Sequence, residues 1–114
     1  MLAKINRLAK KSDIDNLFQR GKRAFSPFFA IRYLRNSQDF CRFAVVIANK
    51  EAKKATARNR LKRQIREIIR LNMSKFSGKY DIIINISKNC LEQDYGFLEK
   101  KLTDLFRINK LMNV

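Results

Sequence analysis

The segment RNRLKRQIREIIR, residues 58–70, contains six Arg or Lys residues and four large aliphatic residues within thirteen positions. On a helical wheel with Leu61 at the origin, one edge collects most of the aliphatic residues within roughly 40°. This edge consists of Ala57, Leu61, Ile65, Ile68 and Asn72, with Ile69 further round. The opposite side carries Asn59, Arg63, Arg66 and Arg70. The pattern predicts an amphipathic helix from Lys53 to about Ser74, with its aliphatic edge packed on a sheet.

A second stripe of cations lies between these two sides. Arg58, Lys62 and Arg66 are spaced i, i+4, i+8, which places them on one margin of the helix. Cations at a margin border the neighbouring sheet and could line a groove for phosphates, which guanidinium groups bind in a bidentate manner. The alternative is an ordinary solvated helix face. Only Glu67 offsets the positive row within the helix, which favours the groove.

The charge of the whole chain points the same way. Its 114 residues, the size of one domain, include 26 Lys or Arg and 10 Asp or Glu, for a net charge of +16. Such a charge attracts polyanions through counterion release, with nucleic acid the first candidate and an anionic membrane surface the second. The sequence shows neither a signal peptide nor a membrane-spanning run. With no His and only Cys41 and Cys90, we expect buried thiols of a cytoplasmic protein and no zinc site.

The segments before this helix predict one helix and two strands. Ser12 is expected to cap a helix that has Asp13 in its first turn and ends at Gly21. Strands are expected over residues 25–35 and 40–48, joined as a hairpin by residues 36–39. In the first strand, alternation places Phe28, Ala30 and Arg32 on one face. The second strand, apolar on both faces, is expected to be central.

The segments after the long helix complete an α+β domain. Residues 80–86, YDIIINI, predict a third strand. Leucines from Leu91 onwards recur at helical spacing and predict a final helix to about Asn109. The resulting order is helix, strand, strand, helix, strand, helix, with the helices packed on a small sheet in a single domain over residues 1–114.

The stretch KKATARNRLKRQIREIIR, residues 53–70, resembles the signature of the bacterial ribonuclease P protein component, approximately K-A-V-x-R-N-R-x-K-R-x-x-R-E. NRLAKKSDIDNLFQRGKR, residues 6–23, and residues 80–87 resemble other parts of that family. The resemblance implies a small α/β sandwich with a left-handed crossover, the reverse of the usual hand. It also implies a noncatalytic protein subunit of the ribonucleoprotein that removes 5′ leaders from precursor tRNA. The partners would be the RNA subunit, one per protein, and precursor tRNA, with no membrane.

In that family the RNA subunit carries out the hydrolysis, so magnesium is expected in the holoenzyme through the RNA and no cofactor is expected on the protein alone. The resemblance marks as RNA-binding Lys50, Lys54, Arg58, Asn59, Arg60, Lys62, Arg63 and Arg66, to which we add Arg70 from the outward side of the same helix. In the leader cleft that the family implies, Phe18 matches an aromatic residue. We assign Phe28, Arg32, Arg58, Lys62 and Arg66 to the same cleft.

The chain also departs from the family pattern. Ile14 and Arg32 stand where aromatic residues are common, Thr56 replaces the usual valine, and no Gly precedes the signature. We therefore expect leader binding to depend more on charge, with Phe28 supplying a ring on the face of Arg32.

Two other functions are compatible with parts of the sequence. A protein nuclease could use metal-bound carboxylates, such as Asp81 with Glu67 or Asp94. Asp81 could also be no more than a carboxylate at the edge of the sheet. A ribosomal or nucleoid structural protein would explain the size and charge alone. The absence of His, of paired carboxylates and of a phosphate-binding Gly loop favours a noncatalytic RNA-binding subunit.

Overall fold

The computed structural model describes residues 2–48, 50 and 53–113. Within them, three α-helices pack on a four-stranded sheet. The helices are α1 (Lys11–Arg20), α2 (Ala55–Leu71) and α3 (Tyr95–Ile108), and the strands are β1 (Lys22–Phe25), β2 (Phe29–Arg35), β3 (Arg42–Val46) and β4 (Tyr80–Ile86). The sheet order is β1-β2-β4-β3, with β3 parallel to β4 and the other pairs antiparallel. The predicted α+β class is confirmed. No helix of the described part is long and apolar enough to cross a membrane.

The two faces of the sheet are covered by different helices. On one face Ile82 and Ile84 pack in a core with residues of α2 and α3. On the other face Ile83 packs with Leu17 of α1 and with Leu8. The aliphatic edge predicted for α2 is buried: Leu61, Ile65, Ile68 and Ile69 are each at most 1% exposed. Burying a side chain of this size stabilises the fold by about 1.5–3 kcal/mol, so the edge fixes the orientation of the helix.

The predicted hairpin between residues 25–35 and 40–48 is wrong. β2 and β3 do not pair; β4 lies between them, antiparallel to β2 and parallel to β3. β4 takes the centre, with Ile82 and Ile84 buried on one face and Ile83 on the other. β3, also apolar on both faces, is at the edge of the sheet rather than central. Its outer side is covered by the N-terminal segment, where the Leu8 N–H donates to the Phe43 carbonyl at 2.8 Å.

The first predicted strand, over residues 25–35, begins only at Phe29, and a further strand before it, β1, was not predicted. β1 ends at Phe25, and a turn at Ser26 leads into β2. The Ser26 N–H donates to the Phe29 carbonyl at 2.8 Å, and the Ser26 hydroxyl accepts from the Phe28 and Phe29 N–H groups at 3.3 Å. Pro27 lies in this turn, where its missing N–H costs no ladder hydrogen bond.

The helix boundaries differ from the prediction at four ends, one of which is the start of α2 at Ala55 instead of Lys53. α1 begins at Lys11, and Ser12 does not cap it. Gly21 ends α1 as expected. A side chain would not fit at this position, because a Cβ there would lie 2.4 Å from the Leu17 carbonyl oxygen. α2 ends at Leu71 instead of about Ser74. α3 begins after Leu91, at a cap in which Asp94 accepts from the Phe97 N–H at 2.8 Å.

α2 connects the parallel strands β3 and β4 and so forms a β-α-β crossover. The left-handed sense that the family resemblance implies for this crossover stays a prediction. Cys41 and Cys90 are free and buried, as predicted. Burial raises the pKa of the Cys90 thiol to about 11.

Candidate nucleic-acid interface

The polar sides of α2 are arranged as the helical wheel predicts. Arg58, Lys62 and Arg66, the predicted margin, are half-buried. On the outward side, Asn59 and Arg63 are exposed. Since the aliphatic edge fixes α2 against the sheet, the margin lies at the border between helix and sheet, as the groove hypothesis requires.

Arg66 borders a cavity at the outer edge of β3. The cavity has a volume of about 300 Å³ and is lined by Arg66, by Arg7 and Leu8 of the N-terminal segment, and by Phe43 and Ala44 of β3, among others. Arg66 therefore lies beside the sheet edge, next to a second arginine. Arg7 was not predicted as a site residue, and the basic N-terminal segment was the only signal that could have suggested it.

The basic residues at the start of α2 follow directly from the end of β3. Lys50 lies in a turn four residues after β3, Lys54 caps α2, and both are exposed. Arg58 donates to the Lys53 carbonyl at 2.8 Å. Connectivity therefore places these cations at the end of the sheet where β3 stops. Arg60, which is exposed, makes a long hydrogen bond to the Leu91 carbonyl at 3.4 Å.

Arg70 is ion-paired within α2. Its guanidinium contacts both carboxylate oxygens of Glu67, with Nε 3.1 Å from Oε2. Hydrogen bonding to Arg70 lowers the pKa of Glu67 to about 2. Arg70 thus presents less net charge to a ligand than its sequence position suggests.

Phe18 and Arg32, two predicted cleft residues, are brought together on the α1 side of the sheet. The Arg32 guanidinium carbon lies 4.6 Å from the centroid of the Phe18 ring, and Nη1 donates to the Phe18 carbonyl at 3.3 Å. Phe18 is 48% exposed, so it is not a core residue. Ile14, beside them on α1, is half-buried and packs with the small cluster under that helix.

Phe28, also predicted for this cleft, lies elsewhere. Its ring packs edge-to-face on Phe97 of α3, with centroids 5.0 Å apart, and contacts the main core. Phe28 is in the turn before β2, so the strand alternation that places Ala30 and Arg32 on one face does not extend to it. The expectation that Phe28 shares a face with Arg32 is therefore wrong.

One row of side chains across the sheet is left open beside α1. We call it the open row, and it follows the register of all four strands: Phe25 opposite Ala30, Ala30 opposite Asn85, and Asn85 opposite Val46. All four residues are exposed. Cross-strand partners point to one face, and Arg32, two residues from Ala30, shows that this is the face of α1. The row provides a bare strip of sheet.

The carboxylates considered for a metal site have structural roles. Asp81 is buried in the central strand and is not an edge carboxylate. It accepts from Arg42 through Nε at 2.9 Å and Nη2 at 2.8 Å, and from Asn36 at 2.8 Å. Glu67 pairs with Arg70, and Asp94 caps α3. Within the described ranges, no group of three or more His, Cys, Asp or Glu residues is placed to hold a metal ion.

The fold and the site define a class: a small basic α+β domain that has a cationic helix on one face of its sheet and an exposed row of side chains on the other, surfaces suited to an anionic strand. A family model described as ribonuclease P matches residues 2–110. The ribonuclease P protein component of Fusobacterium nucleatum is 36% identical over 112 residues, covering 95% of this chain and 100% of that protein. The chain belongs to the ribonuclease P protein family and is thus a subunit of an endoribonuclease of tRNA processing.

Solved structures agree with this assignment. The ribonuclease P protein of Thermotoga maritima has a TM-score of 0.80 at 31% identity, covering 89% of this chain and 96% of that one. A ribonuclease P protein from Staphylococcus aureus has a TM-score of 0.85 at 23% identity, covering 95% and 98% respectively, and shows the same fold. The family and fold implied by the sequence resemblance are confirmed.

Proposed function

We propose that this subunit binds the RNA subunit of ribonuclease P and the 5′ leader of precursor tRNA, and that the RNA carries out the hydrolysis. The observation that carries the proposal is the half-buried margin of Arg58, Lys62 and Arg66 at the border of the sheet. The holoenzyme would contain one protein per RNA subunit, act in the cytoplasm and use magnesium bound through the RNA.

The margin and the outward side of α2 supply contacts to the ribose-phosphate backbone. Guanidinium groups bind phosphate through parallel hydrogen bonds, and half-burial reduces the conformational entropy they lose on binding. Arg66 and Arg7 border one cavity, so a phosphate there could contact both. These contacts are independent of sequence, as a protein that acts on many precursor tRNAs requires.

Phe18 and Arg32 supply a site for leader bases on the α1 side of the sheet. The guanidinium lies on one side of the half-exposed ring, which leaves the remaining surface for a base. Flexible single-stranded RNA is held by stacking on aromatic rings together with phosphate contacts. Charge and one ring therefore act together at this position.

The structure supports a noncatalytic protein because its candidate carboxylates are already engaged. Asp81 is bound by Arg42 and Asn36, and Asp94 by the backbone of α3. A nuclease mechanism would require the carboxylates to leave these partners and to assemble around a metal ion.

Reconstitution tests this proposal. The purified protein with magnesium is incubated with a leader-bearing tRNA, with and without the cognate RNA subunit. Cleavage is expected only when the RNA is present, and the complex is expected to bind leader-bearing tRNA more tightly than mature tRNA. Turnover by the protein alone would support the nuclease. Equal affinity for leader-bearing and mature tRNA, together with similar affinity for ribosomal RNA or duplex DNA, would support a ribosomal or nucleoid structural protein.

A further inference from the structure

We infer that Phe25 is a second base-stacking ring for the leader, at the β1 end of the open row. The leader would then cross the sheet from Val46 of β3 towards Phe25 of β1. This inference rests on the proposed leader binding and adds a residue and a direction to it.

The strand register places Phe25 on the leader face. Arg23 lies opposite Arg32, and Phe25 opposite Ala30, so both β1 side chains share the face on which Arg32 contacts α1. Ala24, between them, packs against the core on the other face. The alternation is that of a regular strand.

The exposure of Phe25 is unusual for a residue of its size. Its side chain is 79% exposed, on a sheet whose interior rings are buried. A bare aromatic ring on a flat surface contributes little to folding, and it offers a face on which any base can stack. Arg23, two residues before it on the same face, places a cation within reach of the adjoining phosphates.

The open row has a length suited to a short single strand. Three inter-strand spacings of about 4.8 Å separate β1 from β3, which gives about 14 Å. Phe18 and Arg32 border this strip from α1, so the leader would meet one ring beside the helix and another at the sheet edge. Rings alternating with cations are typical of surfaces that bind single strands without sequence preference.

Another role for Phe25 is hydrophobic packing at the edge of the sheet. Phe25 and the turn that follows it line a groove of about 590 Å³ whose far side includes Leu105 and Ile108 of α3. Ile108 is 77% exposed and belongs to the opposite side of the sheet. It is therefore a matched control: an equally exposed apolar side chain that lines the same groove but belongs to α3 and not to the sheet.

The test uses the holoenzyme reconstituted with its RNA subunit and precursor tRNAs whose leaders are shortened one nucleotide at a time. The variants are Phe25→Ala, Phe25→Tyr and Ile108→Ala. Phe25→Ala is expected to weaken binding about fivefold to a hundredfold for long leaders. The loss should disappear once the leader no longer reaches β1. Phe25→Tyr should restore the affinity, and Ile108→Ala should leave it unchanged.

Equal affinities of the wild type and Phe25→Ala for every leader would overturn the inference. A loss of affinity of the same size with mature tRNA would also overturn it. The same holds if Phe25→Ala lowers the melting temperature and Ile108→Ala lowers it equally. If the wild-type holoenzyme itself gains no affinity from a leader, the proposed function fails as well. Failure of the Phe25 inference alone is recognised because the wild type still prefers leader-bearing tRNA.

Discussion

The hydrogen bonds at Asp81 predict a large and purely structural effect of its removal. Asp81 is 7% exposed and accepts two hydrogen bonds from Arg42 and one from Asn36. In Asp81→Ala, the Arg42 side chain, 18% exposed, would keep only Asp13, at 3.1 Å. Breaking a fully buried pair costs about 3–5 kcal/mol, and the remaining partner and partial exposure reduce this to about 2–3 kcal/mol.

Urea denaturation measures this loss as a lower midpoint at unchanged slope. The matched control is Asp104→Ala, which removes the exposed pairs with Lys100 at 3.4 Å and Arg107 at 3.6 Å and should cost less than about 1 kcal/mol. Holoenzyme made with Asp81→Ala, assayed well below its melting temperature, should cleave precursor tRNA at the wild-type rate. Unchanged stability together with abolished cleavage would refute the structural role and favour a metal-binding carboxylate.

Three further predictions concern local chemistry. Gly21→Ala should destabilise the protein by about 1–3 kcal/mol in thermal unfolding, because its Cβ would collide with the Leu17 carbonyl. Gly96→Ala, whose Cβ would meet nothing closer than 3.7 Å, should stabilise α3 by about 0.5–1 kcal/mol. An equal loss of stability in Gly21→Ala and Gly96→Ala would contradict this reasoning. Because its pKa is lowered, the ion pair of Glu67 stabilises the fold above the ordinary pKa of about 4.5, and this stabilisation is lost as the pH falls towards 2. An NMR titration of Glu67 with a midpoint near 4.5 would argue against the pair. Cys90, whose pKa is raised to about 11, should resist iodoacetamide at pH 7 until urea unfolds the protein, and rapid labelling of the native protein would be inconsistent with its burial.

The sequence predicted α2 well because its periodicity decides its orientation. A long helix with one aliphatic edge has a single favourable way to pack, so the burial of Leu61 and Ile65 and the half-burial of Arg66 follow from spacing. The strand Tyr80–Ile86 was equally clear, because its run of consecutive isoleucines places apolar side chains on both faces and requires a covered position.

The pairing of the strands was not predictable in the same way. Periodicity states which residues are buried but not which strand is the neighbour, and β2 and β3 are close in sequence. The N-terminal segment that covers β3 carries too weak a pattern to suggest that an edge strand would be apolar on both faces. Phe28 was misplaced because the turn at Ser26 interrupts the alternation. Phe25 was missed because β1 was not predicted, so Phe25 stood as the first residue of the following strand.

The central claim is that the cations of α2 bind a ribose-phosphate strand while its aliphatic edge holds the fold. The salt dependence of precursor tRNA binding by the holoenzyme, compared for wild type, Arg66→Ala and Lys100→Ala, tests it most directly. If the protein contributes about six phosphate contacts on single-stranded RNA, they add about −4 to the slope of log K against log salt. Arg66→Ala should make the slope shallower by about 0.7 without changing stability, and Lys100→Ala should leave it unchanged. A domain unfolded by Arg66→Ala with an unaltered salt slope would contradict the claim.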